Sequence, residues 1–209
     1  MRLPFSDPPS SGTLIAVEGV SRSGKSTLIA ELAGRVEDPV VVSWNSHPEV
    51  HGLTTSLKKQ AVLDRWSFSL SHLLDFTMTF EALTKPTLDR GGIVIADRYL
   101  YTAWVRDRIR SVPPNFLLEF FKEFPRPNVV LYLEAPEARL AERYLAQPSK
   151  FGRYGLGKDV TGLDDDLASF LSYSRMQVSE YRSLAVANDF VVADHLEHAL
   201  QSLRSSRGV

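Results

Sequence analysis

The stretch Gly19-Val20-Ser21-Arg22-Ser23-Gly24-Lys25-Ser26-Thr27 constrains this chain more than any other. It reads G-x-x-x-x-G-K-S-T, entered by the apolar run Leu14-Ile15-Ala16-Val17 and left by Leu28, Leu32 and Val36 at helical spacing. A strand, a glycine-rich loop and a helix in that order make a phosphate-binding loop. The glycines let the backbone close around phosphate oxygens and aim N–H groups at them, and the helix N-terminus adds partial positive charge. In such a loop Lys25 reaches the β- and γ-phosphates and the Ser26 hydroxyl ligates Mg²⁺. A chance glycine-rich turn would not need both flanks to be correct.

The chain's 209 residues suit one domain, residues 1–209, with a single core. A formal net charge of −1 offers no basic field to recommend nucleic acid or a membrane surface as partner. The absence of cysteine excludes a disulfide framework, a Cys-ligated zinc and a cysteine nucleophile, and fits a cytoplasmic protein. No apolar run approaches transmembrane length. Residues 1–12, with Pro4, Asp7, Pro8 and Pro9, lack the apolar centre of a signal peptide and read as a loose arm.

Beyond the loop, apolar strands alternate with helices. Strands are expected at Thr13 to Val20, Val40 to Trp44, Ile93 to Ala96, Val129 to Leu133 and Phe190 to Ala193. The segment from Asn45 to Gly52 reads as a loop, followed by a helix carrying Lys58 and Lys59. Asp64 to Asp89 reads as a long helix with Trp66, Leu70, Leu73, Leu74, Phe80 and Leu83 on one stripe, kinked or broken near Pro86. Helices are also expected over Tyr101 to Ser111, after Pro113-Pro114, after Pro136 to about Ala146, from Asp164-Asp165-Asp166, and after the last strand through Leu203. Residues 147–164 break the pattern with Pro148, Gly152, Gly155, Gly157 and Gly162. A stretch that long and irregular reads as a lid. Strand–helix alternation argues for an α/β fold with a parallel sheet.

Several groups carry chemistry. Asp97-Arg98-Tyr99 lies at the carboxyl end of a strand, where ligands bind in open α/β sheets. An acid there holds Mg²⁺ through water or orients a hydroxyl, and the arginine beside it clamps phosphate oxygens. The lid carries Lys150, Arg153 and Lys158, with Arg139 and Arg143 on the helix leading in. Phosphoryl transfer needs such cations over the moving group, with water kept out. Arg106 and Arg110 share a helix face and can meet an acceptor phosphate, or lie with Arg108 on a solvated surface; Lys58-Lys59 poses the same choice. Phe76 can stack a base or pack the core, whereas Asp75 in its apolar setting needs a partner. The five histidines offer no metal spacing, and the closest pair, His195 and His198, reads as surface.

Glu18 through Thr27, followed by Asp97-Arg98-Tyr99, resembles the thymidylate kinase family of P-loop nucleoside monophosphate kinases. Leu73-Leu74 with Lys85-Pro86 and Gly91-x-x-Val94 is similar to the family's base-site helix and third strand. Asn128 to Leu133, Pro136, Arg139, Arg143, the lid and the Phe170 to Leu184 helix with Tyr181 extend the likeness over nearly everything from Thr13 onward. The resemblance implies a P-loop NTPase fold, a doubly wound five-stranded parallel sheet with helices on both faces and a lid. It implies transfer of the γ-phosphoryl of ATP, with Mg²⁺, to a nucleotide phosphate. Residues 19–27, with Arg143 and Arg153, would hold ATP. Arg22 and Arg98 match a γ-phosphate arginine and an acceptor-phosphate arginine, and Asp97 matches the acid that organises metal and acceptor. A homodimer formed through helices is implied as well.

The likeness to that family is uneven. Ser21 stands where the family usually has an acid facing the acceptor sugar. Trp44-Asn45-Ser46-His47-Pro48-Glu49 stands where it has R-E-P, and Thr77, Met78 and Thr79 lie around the place of its thymine-reading arginine. The chain thus resembles a divergent branch with W-N-S after strand two and an acid-phenylalanine pair, here Asp75-Phe76, on the helix. Acceptor contacts are expected from Ser21, Trp44, Asp75, Phe76, Arg98, Tyr99 and Arg106. Three readings stay open: a nucleoside monophosphate kinase with dTMP as default acceptor, a kinase of a hydroxyl on a nucleoside, modified base or small metabolite, and a non-catalytic nucleotide-binding scaffold. A hydroxyl acceptor would need Asp97 or Asp75 to take its proton.

Overall fold

The structure, a computed structural model, describes residues 1–44, 46–147 and 152–193. Its strands are β1 (Thr13–Glu18), β2 (Val40–Ser43), β3 (Ile93–Asp97), β4 (Val129–Tyr132) and β5 (Val191–Val192). Its helices are α1 (Lys25–Ala33), α2 (Pro48–Lys59), α3 (Arg65–Thr79), α4 (Lys85–Asp89), α5 (Leu100–Ile109) and α6 (Pro114–Phe121). They continue with α7 (Glu137–Ala146), the short α8 (Arg153–Leu156) and α9 (Lys158–Thr161), and the long α10 (Asp166–Ala187). The strands form one five-stranded sheet, all parallel, in the order β2-β3-β1-β4-β5. This is the α/β P-loop kinase architecture that the resemblance implies.

The strands are nearly continuous apolar runs because both faces of the sheet are covered. Side chains alternate between faces along each strand. Leu14 and Ala16 of β1, Val94 and Ala96 of β3, and Val130 and Tyr132 of β4 join the core shared with Leu73 and Phe76 of α3, Val105 of α5 and Phe170 of α10. Ile15, Val17, Ile95, Val129 and Leu131 face the other way, onto Leu28, Ile29 and Leu32 of α1. β1 lies at the centre, with Val17 opposite Asp97 and Glu18 opposite Tyr132. That register sets the phosphate loop between the carboxyl ends of β3 and β4, where an open α/β sheet binds ligands.

Several expectations are corrected. The segment expected as a loop up to Gly52 is already helical from Pro48, because proline suits a first helical position where its missing N–H costs nothing. The long helix does not break at Pro86. A π-helical turn, Phe80–Thr84, follows α3 directly, and Pro86 sits as the second residue of α4. Inserting one wider turn there accommodates a residue without an N–H to donate. The apolar stripe expected on that helix is two stripes: Phe68, Leu73, Phe76 and Phe80 are buried, whereas Trp66, Leu70, Leu74, Met78 and Leu83 are exposed.

The N-terminal arm is docked rather than loose. Leu3 is buried and its N–H donates to the Asn188 side chain at 2.8 Å. Ser6 bridges to Pro125, and the Phe5 ring stacks on Phe121 at 5.4 Å. Two apolar side chains among the prolines are enough to seat it. The irregular stretch after α7 also has internal order. Gly157 and Gly162 take left-handed conformations that close α8 and α9, and a Cβ on Gly157 would lie 2.3 Å from the Tyr173 ring. Tyr154 exchanges hydrogen bonds with the Leu63 backbone at 3.0 Å, and Asp159 pairs with buried Arg110 at 2.8 Å. Lys150, His195, His198 and the helix expected through Leu203 lie outside the described residues, as does Asn45.

Candidate active site

The site is assembled around the carboxyl end of β1. Glu18 is fully buried there, and its carboxylate accepts hydrogen bonds from the Tyr99 backbone N–H at 2.7 Å, the Thr102 hydroxyl at 2.7 Å and the Tyr181 hydroxyl at 2.9 Å. Burial pushes its pKa up, opposed by those hydrogen bonds and by the charge of Arg98. One side chain thus ties β1 to the loop after β3, to α5 and to α10. In the sequence Glu18 stands only as the first letter of a motif. Its signal was an acid inside an apolar strand, which must be satisfied by donors from elsewhere.

From Glu18 the chain turns into the phosphate loop. Gly19 has φ 141°, and a Cβ there would lie 2.4 Å from the Leu133 carbonyl oxygen, so no other residue fits. Gly24, at φ 113°, is the N-cap of α1 and brings no side chain to its first N–H groups, which face the loop's concavity. Val20 is core, Ser23 is buried, and Ser21, Ser26 and Thr27 keep contact with solvent. Lys25 lies back along the loop, donating to the carbonyls of Val20 at 2.7 Å and Gly19 at 3.0 Å. Burial, with the nearby Arg98, holds its pKa well below the usual lysine value, against the pull of Asp97 and Glu18.

Arg22 and Arg98 both have left-handed backbones, φ 68° and 76°. Each such residue other than glycine costs about 1 kcal/mol or more, and at ligand sites this strain recurs. Arg22 donates to the Arg143 carbonyl at 2.8 Å, and Arg143 donates back to the Arg22 carbonyl at 2.7 Å, which locks α7 to the loop. Arg98 donates to the Gly19 carbonyl at 2.8 Å and to the Thr102 hydroxyl at 3.2 Å. Asp97 beside it has a buried Oδ1 with no hydrogen-bond partner. Arg106 is partly buried, its Nε also without a partner, and burial with Arg98 and Arg110 nearby lowers its pKa.

Two cavities open at the loop. One of about 530 Å³ is lined by Arg22, Lys25, Ser26, Thr27 and Arg143. Another of about 330 Å³ lies beside it, between Thr27, Glu31, Arg139, Arg143 and Ala193. On the far side of Arg98 a third, of only about 20 Å³, is walled by Trp44, Asp75, Phe76, Thr79, Phe80 and Tyr99. So the structure brings together Trp44, Asp75, Phe76, Arg98 and Tyr99. A cavity that size holds no more than a water, so any larger ligand must displace side chains.

The expected site residues are thus not equally placed. Asp75 is fully buried; its Oδ1 accepts from the His47 backbone N–H at 2.9 Å and its Oδ2 has no partner. Phe76 is largely core, packed against Phe80, Tyr99 and Phe124. The Tyr99 hydroxyl is committed to the Pro125 carbonyl at 2.8 Å, leaving only its ring to the cavity. Arg110 turns inward to Asp159, and Arg108 lies outside over Trp104. Arg153 is exposed and lines none of these cavities. His72, which no motif in the sequence marks, is buried behind Trp44 and 3.3 Å from Lys58.

A phosphate loop opening α1 at the centre of a parallel sheet, faced by guanidinium groups from the β3 loop and α5, is the architecture of a P-loop phosphotransferase. Residues 17–153, well over half of the chain, match the thymidylate kinase family. The chain is 32% identical over 187 residues to a probable thymidylate kinase 2 of Saccharolobus solfataricus, covering 88% of each chain. It is 33% identical over 129 residues to a thymidylate kinase of Xylella fastidiosa strain M23, covering 60% of this chain and 59% of that one. To one of Xanthomonas campestris pv. campestris strain B100 it is 36% identical over 129 residues, covering 60% and 57%. The matches to these last two span less than two thirds of the relatives' own length. The chain belongs to the thymidylate kinase family, an enzyme of the phosphotransferase class, which favours the enzyme readings over the scaffold.

The Lys25 geometry makes a test. Burial disfavours the Lys25 charge in the free fold, so the residue is placed there for a ligand that carries negative charge. Lys25→Met is expected to leave the melting temperature of the free protein within about 4 °C of the wild type, while abolishing the rise that saturating ADP produces. Thermal melts with and without ADP check this. A large loss of stability in the free variant would make Lys25 a structural strut instead.

Proposed function

We propose that this chain transfers the γ-phosphoryl of ATP to the phosphate of a nucleoside monophosphate, with dTMP the default acceptor. The observation that carries the reading is the pair Arg98 and Arg106. Among the described residues neither has a carboxylate within ion-pair distance, although Arg98 touches the phosphate loop and Arg106 is desolvated beside it. Partly buried cations without acids call for an anionic ligand. A monophosphate brings one, and its oxygen attacks without a strong base.

In this reading residues 19–27 and Arg143 hold the ATP phosphates, and the cavity by Thr27 and Arg139 takes the nucleoside. Lys25 leaves its carbonyl partners for the phosphates. Arg22 covers the transferring group, and Arg98 and Arg106 grip the acceptor. Ser26 and Asp97 would hold Mg²⁺; Asp97 has an unpartnered buried oxygen to offer. Held there, the ion would supply positive charge to offset the negative charge developing on the transferring phosphoryl group. Arg153 and its lid segment, residues 147–164, complete the proposal by closing over ATP, and residues 1–209 act as one domain.

A hydroxyl acceptor remains the second reading because Asp75 keeps one buried carboxylate oxygen free to act as a base. Release of ADP should be measured against dTMP, other nucleoside monophosphates and free nucleosides. The proposal expects a monophosphate to be turned over at 1–100 s⁻¹, roughly the range of kinases, with nucleosides inert. Turnover of a nucleoside alone would reverse the two readings.

The proposal includes a cytoplasmic enzyme, working where ATP is supplied, and a homodimer. No described helix is long and apolar enough to cross a membrane. Trp66, Leu70, Leu74 and Met78 recur every fourth residue on the exposed side of α3, between 36% and 53% exposed. Between Arg65 and Glu81 the charged or ionisable residues of that helix, His72 and Asp75, are both buried. An uncharged apolar stripe of this kind suits a second copy of itself. Leu74→Glu is expected to give a folded monomer where the wild type sediments as a dimer. A monomeric wild type would remove this part of the proposal.

A further inference from the structure

Lys58 lies in the last turn of α2 with its ammonium turned toward α3. Its Nζ lies 3.3 Å from Nε2 of His72 and 5.9 Å from the centre of the Phe68 ring. His72 is 2% exposed, edge-on to Phe68 at 4.3 Å and tilted against Trp44 at 5.5 Å. Burial, together with Lys58, Arg106 and Arg110, keeps the His72 pKa well below the usual value. A neutral imidazole facing an ammonium accepts through Nε2. The charges facing Lys58 are Asp75 on α3, which favours its protonation, and Arg106 and Arg110 on α5, which oppose it. Arg110 is answered by Asp159, but among the described residues Lys58 has no carboxylate within ion-pair distance.

Packing alone does not call for a histidine here. A phenyl ring at position 72 would meet Phe68 and Trp44 as well and would not need to be kept neutral. What imidazole adds is one lone pair, directed at Lys58. We propose that Lys58 is a ligand of the acceptor's phosphate and that His72 is the positioning residue that holds its ammonium in the cleft. The cations Arg98, Arg106 and Lys58 then run from the phosphate loop to α2. The enzyme selects acceptors that carry a dianionic group. This rests on the monophosphate reading above and adds two residues that it does not need.

Burial, with Arg106 and Arg110, brings the Lys58 pKa down to about 8. A phosphate monoester is already dianionic above pH ~6. The acceptor's kcat/KM reports groups of the free enzyme, so it should fall as the pH rises through about 8, where Lys58 loses its charge. Lys58→Arg, which stays charged, should lose that fall.

The test uses whichever monophosphate the screen turns over. Lys58→Ala should raise its KM about tenfold or more, with the KM for ATP unmoved. His72→Phe keeps a ring against Phe68 and removes the lone pair; His72→Gln restores an acceptor and removes the ring. Positioning predicts that the glutamine variant stays nearer the wild type in acceptor KM and pH profile. A packing role predicts the opposite order, and that order, or an unchanged KM in Lys58→Ala, overturns the proposal. Binding of inorganic phosphate with saturating ADP filling the loop gives a readout without turnover. If no monophosphate is turned over but phosphate binding still depends on Lys58, the functional reading fails, and with it the acceptor role, leaving Lys58 a phosphate ligand held by His72. If phosphate binding is the same with and without Lys58, the Lys58 proposal fails.

Discussion

The Glu18 carboxylate holds the site together. It is buried at the end of the central strand and satisfied by a backbone N–H from the segment after β3, a hydroxyl from α5 and a hydroxyl from α10. A buried carboxylate is unfavourable unless such donors are present, so the parts that supply them are fixed relative to the phosphate loop. Tyr99 is held by its N–H, and that constrains Arg98 just before it in a left-handed conformation aimed at the Gly19 carbonyl. The Thr102 and Tyr181 oxygens also lie 2.7 Å apart, so the two hydroxyls that donate to Glu18 sit side by side. The strain at Arg98 is thereby offset by a hydrogen-bonded core that fewer donors would not maintain.

Around that anchor Lys25, Arg98, Arg106 and Lys58 have no carboxylate within ion-pair distance among the described residues. Lys25 is held by carbonyls, Arg98 by a carbonyl and a hydroxyl, and Lys58 by an imidazole. Neutral acceptors of this kind orient a cation while leaving its charge available. The contrast is Arg110, four residues beyond Arg106 on α5, which is sealed by Asp159, the Tyr173 hydroxyl and the face of Phe68. One helix face thus carries a structural arginine and an uncompensated one. The acid on the other side of the cleft, Asp75, has one oxygen fixed by the His47 N–H and one free.

Much of this is legible in the sequence where local pattern and local structure coincide. Apolar runs of four to six residues mark the strands because a parallel sheet covered on both faces needs nothing else. The phosphate loop is readable because it is contiguous. What escapes is whatever depends on residues distant in the chain. Glu18 finds Tyr181 across 163 positions, and Tyr154 finds Leu63 across 91. Periodicity likewise cannot separate two apolar stripes on one helix, so Leu70 and Leu74 read on the same stripe as Leu73 and Phe80, although only the latter two are buried. His72 carries no motif. It becomes meaningful only when α2 lays Lys58 against it.

The central claim is that the cations beside the phosphate loop receive a phosphate on which the γ-phosphoryl group lands. A single-turnover reaction with γ-³²P-labelled ATP and nucleoside monophosphate, quenched in acid and resolved by charge, tests it directly. The account predicts that the label appears in a nucleoside diphosphate, as the β-phosphoryl group, in step with ADP formation. Label recovered as inorganic phosphate, or in a phosphomonoester formed on an added nucleoside while the monophosphate stays unlabelled, would contradict it.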